Sequence, residues 1–307
     1  MPITPTAIEV AGLTKRFGHG ANGVLAVDDL SFTVPPGRIT GFLGPNGAGK
    51  TTTLRCLVGL VRPTSGEATI GGHSYDRLQH PSSVVGAALE ASGFHPGRTA
   101  RDHLRTRAAA VGLPESSVDT MLDFVGLADA RDRKAGQFSL GMRQRLALAM
   151  ALLPDPSVLI LDEPANGLDP AGIAWLRHFL RGLADEGRTI LVSSHLLAEV
   201  RQTVDNVVIV DQGRLVRAGP LSEVVGAEAL VVVATPDPVA LGNAVAAAGG
   251  VMSEVDGRLT VTGLDAAQVG HAAHGAGVEL HGLFEEHAEL EQVFLRLTTE
   301  RPTGDVA

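Results

Sequence analysis

The stretch RITGFLGPNGAGKTTTLRCLVGL, residues 38–60, constrains this chain more than any other. A short apolar run leads at once into GPNGAGKT, Gly44 to Thr51, and Leu54, Leu57, Val58 and Val61 then recur at helical spacing. The order is strand, glycine loop, helix. Glycines let successive backbone N–H groups turn inward, and the helix start aims the positive end of its dipole at the same point. Such a loop is built to hold phosphate oxygens. A plain helix-capping turn is the alternative, but it leaves the lysine unexplained. Nearly all basic residues are arginine, and the only lysines are Lys15, Lys50 and Lys134.

A second apolar run, SVLIL, ends in two adjacent carboxylates, Asp162 and Glu163, within VLILDEPANGLDP. An unbroken apolar strand is expected where a parallel sheet is covered on both faces. Together with the glycine loop, this resembles the P-loop nucleotide hydrolases. The resemblance implies an ATP site formed by Gly44, Pro45, Asn46, Gly47, Ala48, Gly49, Lys50, Thr51 and Thr52. Lys50 would reach the β- and γ-phosphates, and Thr51 and Asp162 would hold Mg²⁺. Neighbouring strand residues point to opposite sides, so Glu163 is free for another task, polarising the attacking water as general base.

The stretch between the two motifs narrows the family. FSLGMRQRLALAMALL, Phe138 to Leu153, resembles the signature motif of ATP-binding cassette (ABC) proteins, usually LSGGQ followed by QR. Ser139 and Gly141 match the positions that, in the family, contact nucleotide bound on the facing subunit. Leu140 stands where glycine is usual and Met142 where glutamine is usual. NGLD is similar to the D-loop, with Asp169 coupling the two sites, and TILVSSH ends in His195, which resembles the switch histidine. Phe17 in LTKRFG resembles the aromatic that stacks on adenine, with a core phenylalanine as the rival reading. The likeness covers roughly residues 6–220. One position departs from it: where the family carries a Q-loop glutamine, VVGAALEASGF offers Glu90. A carboxylate can ligate Mg²⁺ but cannot donate as an amide does. A glutamate there resembles the ABC exporters that handle bacitracin and lantibiotic-type peptides.

The implied fold is α/β: a P-loop ABC cassette over residues 6–222, with a mixed sheet core, a β-subdomain and a helical signature subdomain over about 98–153. Arg101, Arg105 and Arg107 read as a solvated face of that subdomain, and the region from Phe94 to Leu104 corresponds to the groove that receives a transmembrane partner. NVVIVDQGRLVRAG closes the cassette as a hairpin. Residues 227–300 read as a small accessory α+β domain. Its expected elements are a strand at ALVVVAT, a helix at DPVALGNAVAAAG, a hairpin about Asp256-Gly257, a helix at DAAQVGHAAHGAG, a strand at VELHGL and a helix at HAELEQVFLRLT. His271, His274, His281 and His287 lack cysteine or acids at ligand spacing, so exposed polar residues are the better reading.

Composition sets the surroundings. One cysteine, Cys56, excludes a disulfide framework. No apolar stretch approaches the roughly 18 residues of a bilayer span, and no signal peptide is recognisable at the start. Direct membrane insertion is therefore not expected. A net charge of -9 disfavours broad nucleic-acid binding. The resemblance then implies a homodimer sandwiching ATP, held at the cytoplasmic membrane face through a separately encoded permease and driving export of an antibiotic, drug, peptide or lipid-like compound. Two alternatives stay open within the family: a non-transport ATPase acting on ribosomes or nucleic acid, and a weakly hydrolysing regulatory subunit.

Overall fold

The computed structural model describes residues 4–18, 23–89, 93–195, 202–226, 229–255 and 257–287. They divide into two compact units, one ending at Pro220 and the other beginning at Leu221.

The first unit opens with β1 (Ile8–Phe17), β2 (Val24–Val34), β3 (Ile39–Leu43), α1 (Lys50–Leu57) and β4 (Ser65–Ile70). A single turn, α2 (Pro81–Val84), leads into β5 (Val85–Ala88). The helical part follows as α3 (Ala100–Val111), α4 (Ser116–Phe124) and α5 (Leu140–Leu152). Then come β6 (Val158–Leu161), α6 (Pro170–Asp185), β7 (Thr189–Ser194), β8 (Asn206–Asp211) and β9 (Arg214–Pro220). The main sheet has the order β5-β6-β7-β3-β8-β9, parallel except for the β8–β9 hairpin. Every residue of β3, β6 and β7 is buried, which is why apolar residues run through them without alternating with exposed polar ones. A second, antiparallel sheet, β2-β1-β4, shares a core with α1 and the main sheet. Phe32 stacks on Phe42 there, with ring centroids 5.2 Å apart.

The helical part has its own core of Ala100, Leu104, Leu122, Phe138, Leu146 and their neighbours. Its first helix is bounded by local chemistry: Thr99 accepts the Asp102 amide at 3.0 Å at the start, and Gly112 takes a left-handed φ of 72° at the end. Arg105 is exposed, as a solvated face requires, whereas Arg101 and Arg107 are partly buried. Arg101 is half-buried and paired with Asp119 at 2.8 Å, and Arg105 is paired with Glu115, because α4 brings acids against α3.

The second unit comprises α7 (Leu221–Gly226), β10 (Ala229–Ala234), α8 (Pro238–Ala247), β11 (Val251–Val255), β12 (Arg258–Thr262), α9 (Ala266–Gly275) and β13 (Gly282–His287). Its strands form one antiparallel sheet in the order β11-β12-β10-β13. Val231, Val233, Leu241, Val245, Val261 and Val269 make its core. The last strand differs from expectation. VELH, residues 278–281, is not a strand; Val278 and Leu280 instead pack on the core after α9, and β13 begins only at Gly282, once the His281 amide has reached the Ala234 carbonyl at 2.7 Å. His287 therefore ends a strand rather than starting a helix. The helix expected beyond it falls outside the described residues.

Candidate nucleotide site

Strand order builds this site. β6, β7 and β3 are adjacent and parallel, so the segments leaving their carboxyl ends emerge side by side. The loop Gly44–Gly49 leaves β3, Asp162 and Glu163 leave β6, and His195 leaves β7. Polar groups from three distant stretches of sequence thereby meet where open α/β sheets bind ligands.

The glycines of the loop answer to close backbone approach. A Cβ at Gly44 would fall 2.4 Å from the Val210 carbonyl oxygen, and one at Gly49, already at φ 95°, would fall 2.3 Å from that of Ala26. Only glycine lets the loop lie this tightly. Pro45 and Gly49 are partly exposed, Ala48 is buried, and Asn46 and Gly47 face solvent. Lys50 is buried and donates to the carbonyls of Gly44 at 2.7 Å and Pro45 at 3.2 Å. Its Nζ also lies 3.4 Å from Glu163 Oε1. The first helical bond of α1 runs from the Thr53 amide to Gly49 at 2.9 Å, so the amides of Lys50, Thr51 and Thr52 have no intrahelical carbonyl to bond.

Asp162 is held at both oxygens. Thr51 donates to Oδ2 at 2.7 Å, and Ser193 donates to Oδ1 at 2.5 Å. Glu163 Oε2 lies 2.8 Å from His195 Nδ1, and the Glu163 amide donates to Ser193 Oγ at 2.9 Å. A hydroxyl and a carboxylate converging from α1 and β6 form a hard-oxygen donor set of the kind Mg²⁺ takes. The unpaired amides and the lysine are donors for phosphate oxygens. The residues thus fit both ATP and its metal.

Other expected residues lie apart from this cluster. Phe17 ends β1, 43% exposed and outside the core, with Lys15 Nζ over its ring at 4.9 Å from the centroid. Ser139 caps α5 by accepting the Met142 amide at 3.2 Å, with Gly141 in the first turn. Asp169 caps α6, accepting the Gly172 amide at 2.8 Å. Among the described residues, no hydrogen bond or ion pair joins Ser139, Gly141 or Asp169 to Lys50, Asp162, Glu163 or His195. Glu90 lies outside the described residues. Phe94, near the expected partner groove, packs on the helical core, edge-on to His103 at 5.2 Å.

Sequence reasoning missed Ser193, which touches both acids. Its signal was weak: a polar residue near the end of a buried strand, TILVSS. It also missed Arg145, whose guanidinium lies 3.8 Å from the Trp175 ring centroid and donates to the Val125 carbonyl at 2.9 Å. Burial lowers the pKa of that guanidinium. This stack joins the signature helix α5 to α6, the helix capped by Asp169.

Comparison with known proteins gives the family. The profile described as ABC transporter matches residues 27–166, and a domain of unknown function (DUF8746) matches 229–291. The bacitracin transport ATP-binding protein BcrA of Bacillus licheniformis is 43% identical over 220 residues, 70% of each chain. The Nod factor export ATP-binding protein I of Burkholderia lata is 34% identical over 306 residues, 97% of this chain and 98% of that one. A solved ATP binding subunit of an ABC transporter superposes with a TM-score of 0.62 at 30% identity, covering 71% of this chain and 91% of that one. A dimeric ATP-binding cassette bound to ADP and Pi has the same fold, with a TM-score of 0.64 at 22% identity, covering 70% of this chain and 98% of that one. The chain therefore belongs to the ABC transporter family, as an ATP-binding and ATP-hydrolysing subunit.

Proposed function

We propose that this subunit hydrolyses ATP to drive a separately encoded permease that exports an antibiotic, drug, peptide or lipid-like compound. The observation that carries the catalytic part is the meeting of Thr51, Asp162, Glu163 and His195 around the glycine loop. In this reading Lys50 leaves its two carbonyls for the phosphates, and the amides of Lys50 to Thr52 bind phosphate oxygens. Thr51 and Asp162 hold Mg²⁺, which when bound neutralises charge on the phosphates. Glu163 accepts a proton from the attacking water, and His195, hydrogen-bonded to Glu163 Oε2, fixes the orientation of that carboxylate. Catalysis then rests on positioning and charge rather than on a covalent intermediate.

A second copy completes the site in this reading. Ser139 and Gly141, at the exposed start of α5, face the partner's nucleotide, Asp169 couples the two sites, and Phe17 stacks on adenine. Support comes from the dimer formed by the neighbouring cassette bound to ADP and Pi. The export reading is supported by relatives whose names refer to bacitracin transport and Nod factor export. No helix among the described residues is long and apolar enough to cross a membrane. In this reading, coupling to a membrane goes through the permease at its cytoplasmic face.

The test is a mild-detergent pull-down of the tagged chain from native membranes. Recovery of a polytopic protein that stimulates ATP hydrolysis is the expected result. Recovery with ribosomes or nucleic acid and without a membrane protein would overturn the transport reading and leave the nucleotide chemistry standing.

A further inference from the structure

We propose that Ser193 is the positioning residue that sets both acids of the site, fixing the rotation of the Asp162 carboxylate and the backbone of Glu163 through one hydroxyl. This rests on the reading of Asp162 as metal carboxylate and Glu163 as general base.

The register of the sheet dictates the meeting. β6 and β7 pair Leu161 with Val192, so the next residues, Asp162 and Ser193, are neighbours across the strands. Ser193 is fully buried, where a hydroxyl without partners would be costly. Its one proton goes to Asp162 Oδ1 at 2.5 Å, so toward the Glu163 amide, 2.9 Å away, the same oxygen can only accept. The donation occupies Oδ1 and leaves Oδ2 turned to Thr51. The carboxylate thereby has one orientation.

The acceptance addresses a different difficulty. Glu163 has φ 48°, a left-handed conformation for a residue with a side chain, and Pro164 follows it. A residue before proline is disfavoured in the α regions, so this backbone persists only where surrounding bonds determine it. The Ser193 hydroxyl supplies one such bond and the Asn166 amide, donating to the Glu163 carbonyl at 3.1 Å, another. The strained backbone in turn aims the Glu163 side chain between Lys50 and His195. One serine therefore ties metal orientation to base orientation, and its removal should disturb both together.

The test compares Ser193→Ala, Ser193→Thr and the unaltered protein in two measurements. The first is Mn²⁺ affinity by electron paramagnetic resonance with a non-hydrolysable ATP analogue; the second is steady-state hydrolysis. Ser193→Ala is expected to weaken Mn²⁺ binding and lower kcat, each by about 10- to 100-fold, as loss of a hydrogen-bond partner behind a metal ligand does. Binding of metal-free ATP stays unchanged, because phosphate binding uses the loop. Ser193→Thr, which keeps the hydroxyl, restores both. Wild-type Mn²⁺ affinity and kcat in Ser193→Ala, or equal loss in Ala and Thr variants, would overturn the proposal. If Ser193→Ala does not fold, Ser193→Cys takes its place, filling the space with a weak donor. Retained metal affinity in that variant overturns the proposal, and loss with rescue by threonine supports it. Asp162→Asn is the control: unchanged Mn²⁺ affinity there would refute the site itself, whereas loss there with an indifferent Ser193→Ala refutes only the serine's role.

Discussion

The two units of this chain use sheets in opposite ways. Up to Pro220, the parallel strands β6, β7 and β3 are buried on both faces and concentrate polar groups at their carboxyl ends. From Leu221, an antiparallel sheet carries α8 and α9 over an apolar core of Val231, Val233, Leu241, Val245, Val261 and Val269. Among the described residues, no group of three histidines, cysteines or acids in either unit could hold a metal by itself. The first unit does not need one. Its metal donors are one hydroxyl and one carboxylate, with the nucleotide's phosphates completing the set in the proposed reading. The carboxyl ends of neighbouring parallel strands thus bring sequence-distant residues together at one point.

If the units are energetically separate, damage to one should spare the other. The largest effect is expected from Leu241→Ala, which opens a cavity in the core of the second unit and should cost it about 2–5 kcal/mol. Thermal unfolding should then show the second unit melting early while ATP affinity is retained. A parallel loss of ATP binding would break the comparison. Lys50→Ala should do the reverse. Losing charge-assisted bonds of about 1.5–3 kcal/mol should weaken ATP binding about 10- to 100-fold, read by calorimetry, with no change in the melting of the second unit. Trp175→Leu should cost the first unit less, about 0.5–2 kcal/mol from the lost Arg145 stack. Denaturant unfolding followed by circular dichroism measures it. Trp175 is the chain's only tryptophan, so its fluorescence in the unaltered protein follows the first unit alone. The smallest effect concerns Cys56, buried in α1. Burial pushes its thiol pKa up against the opposing pull of Lys15, so less thiolate is present at pH 8. Alkylation should be slow in the native protein and fast after unfolding. Rapid native labelling would show the region around α1 to open readily.

The same contrast governs what could be read from the sequence. GPNGAGKT and the Asp162-Glu163 pair were legible because backbone geometry and phosphate chemistry admit few substitutes there. The apolar runs RITGFL, SVLIL and TILVSS marked strands because burial on both faces removes alternation. Ser193 escaped because its role depends on register between β6 and β7, which no local pattern encodes. Arg101 escaped for a related reason: its partner Asp119 lies on the next helix. The misplaced last strand shows the weakness of pattern in the second unit. VELHGL alternates well enough, yet Val278 and Leu280 serve the core from a connecting segment, and the ladder to β10 starts at Gly282.

The central claim is that Glu163 acts on water rather than on nucleotide binding. Its most direct test is Glu163→Gln, assayed for steady-state ATP hydrolysis and, separately, for equilibrium ATP binding. Turnover should fall by at least about 10²-fold, the scale of a lost general base, with ATP affinity preserved. Hydrolysis at the unaltered protein's rate would contradict the account.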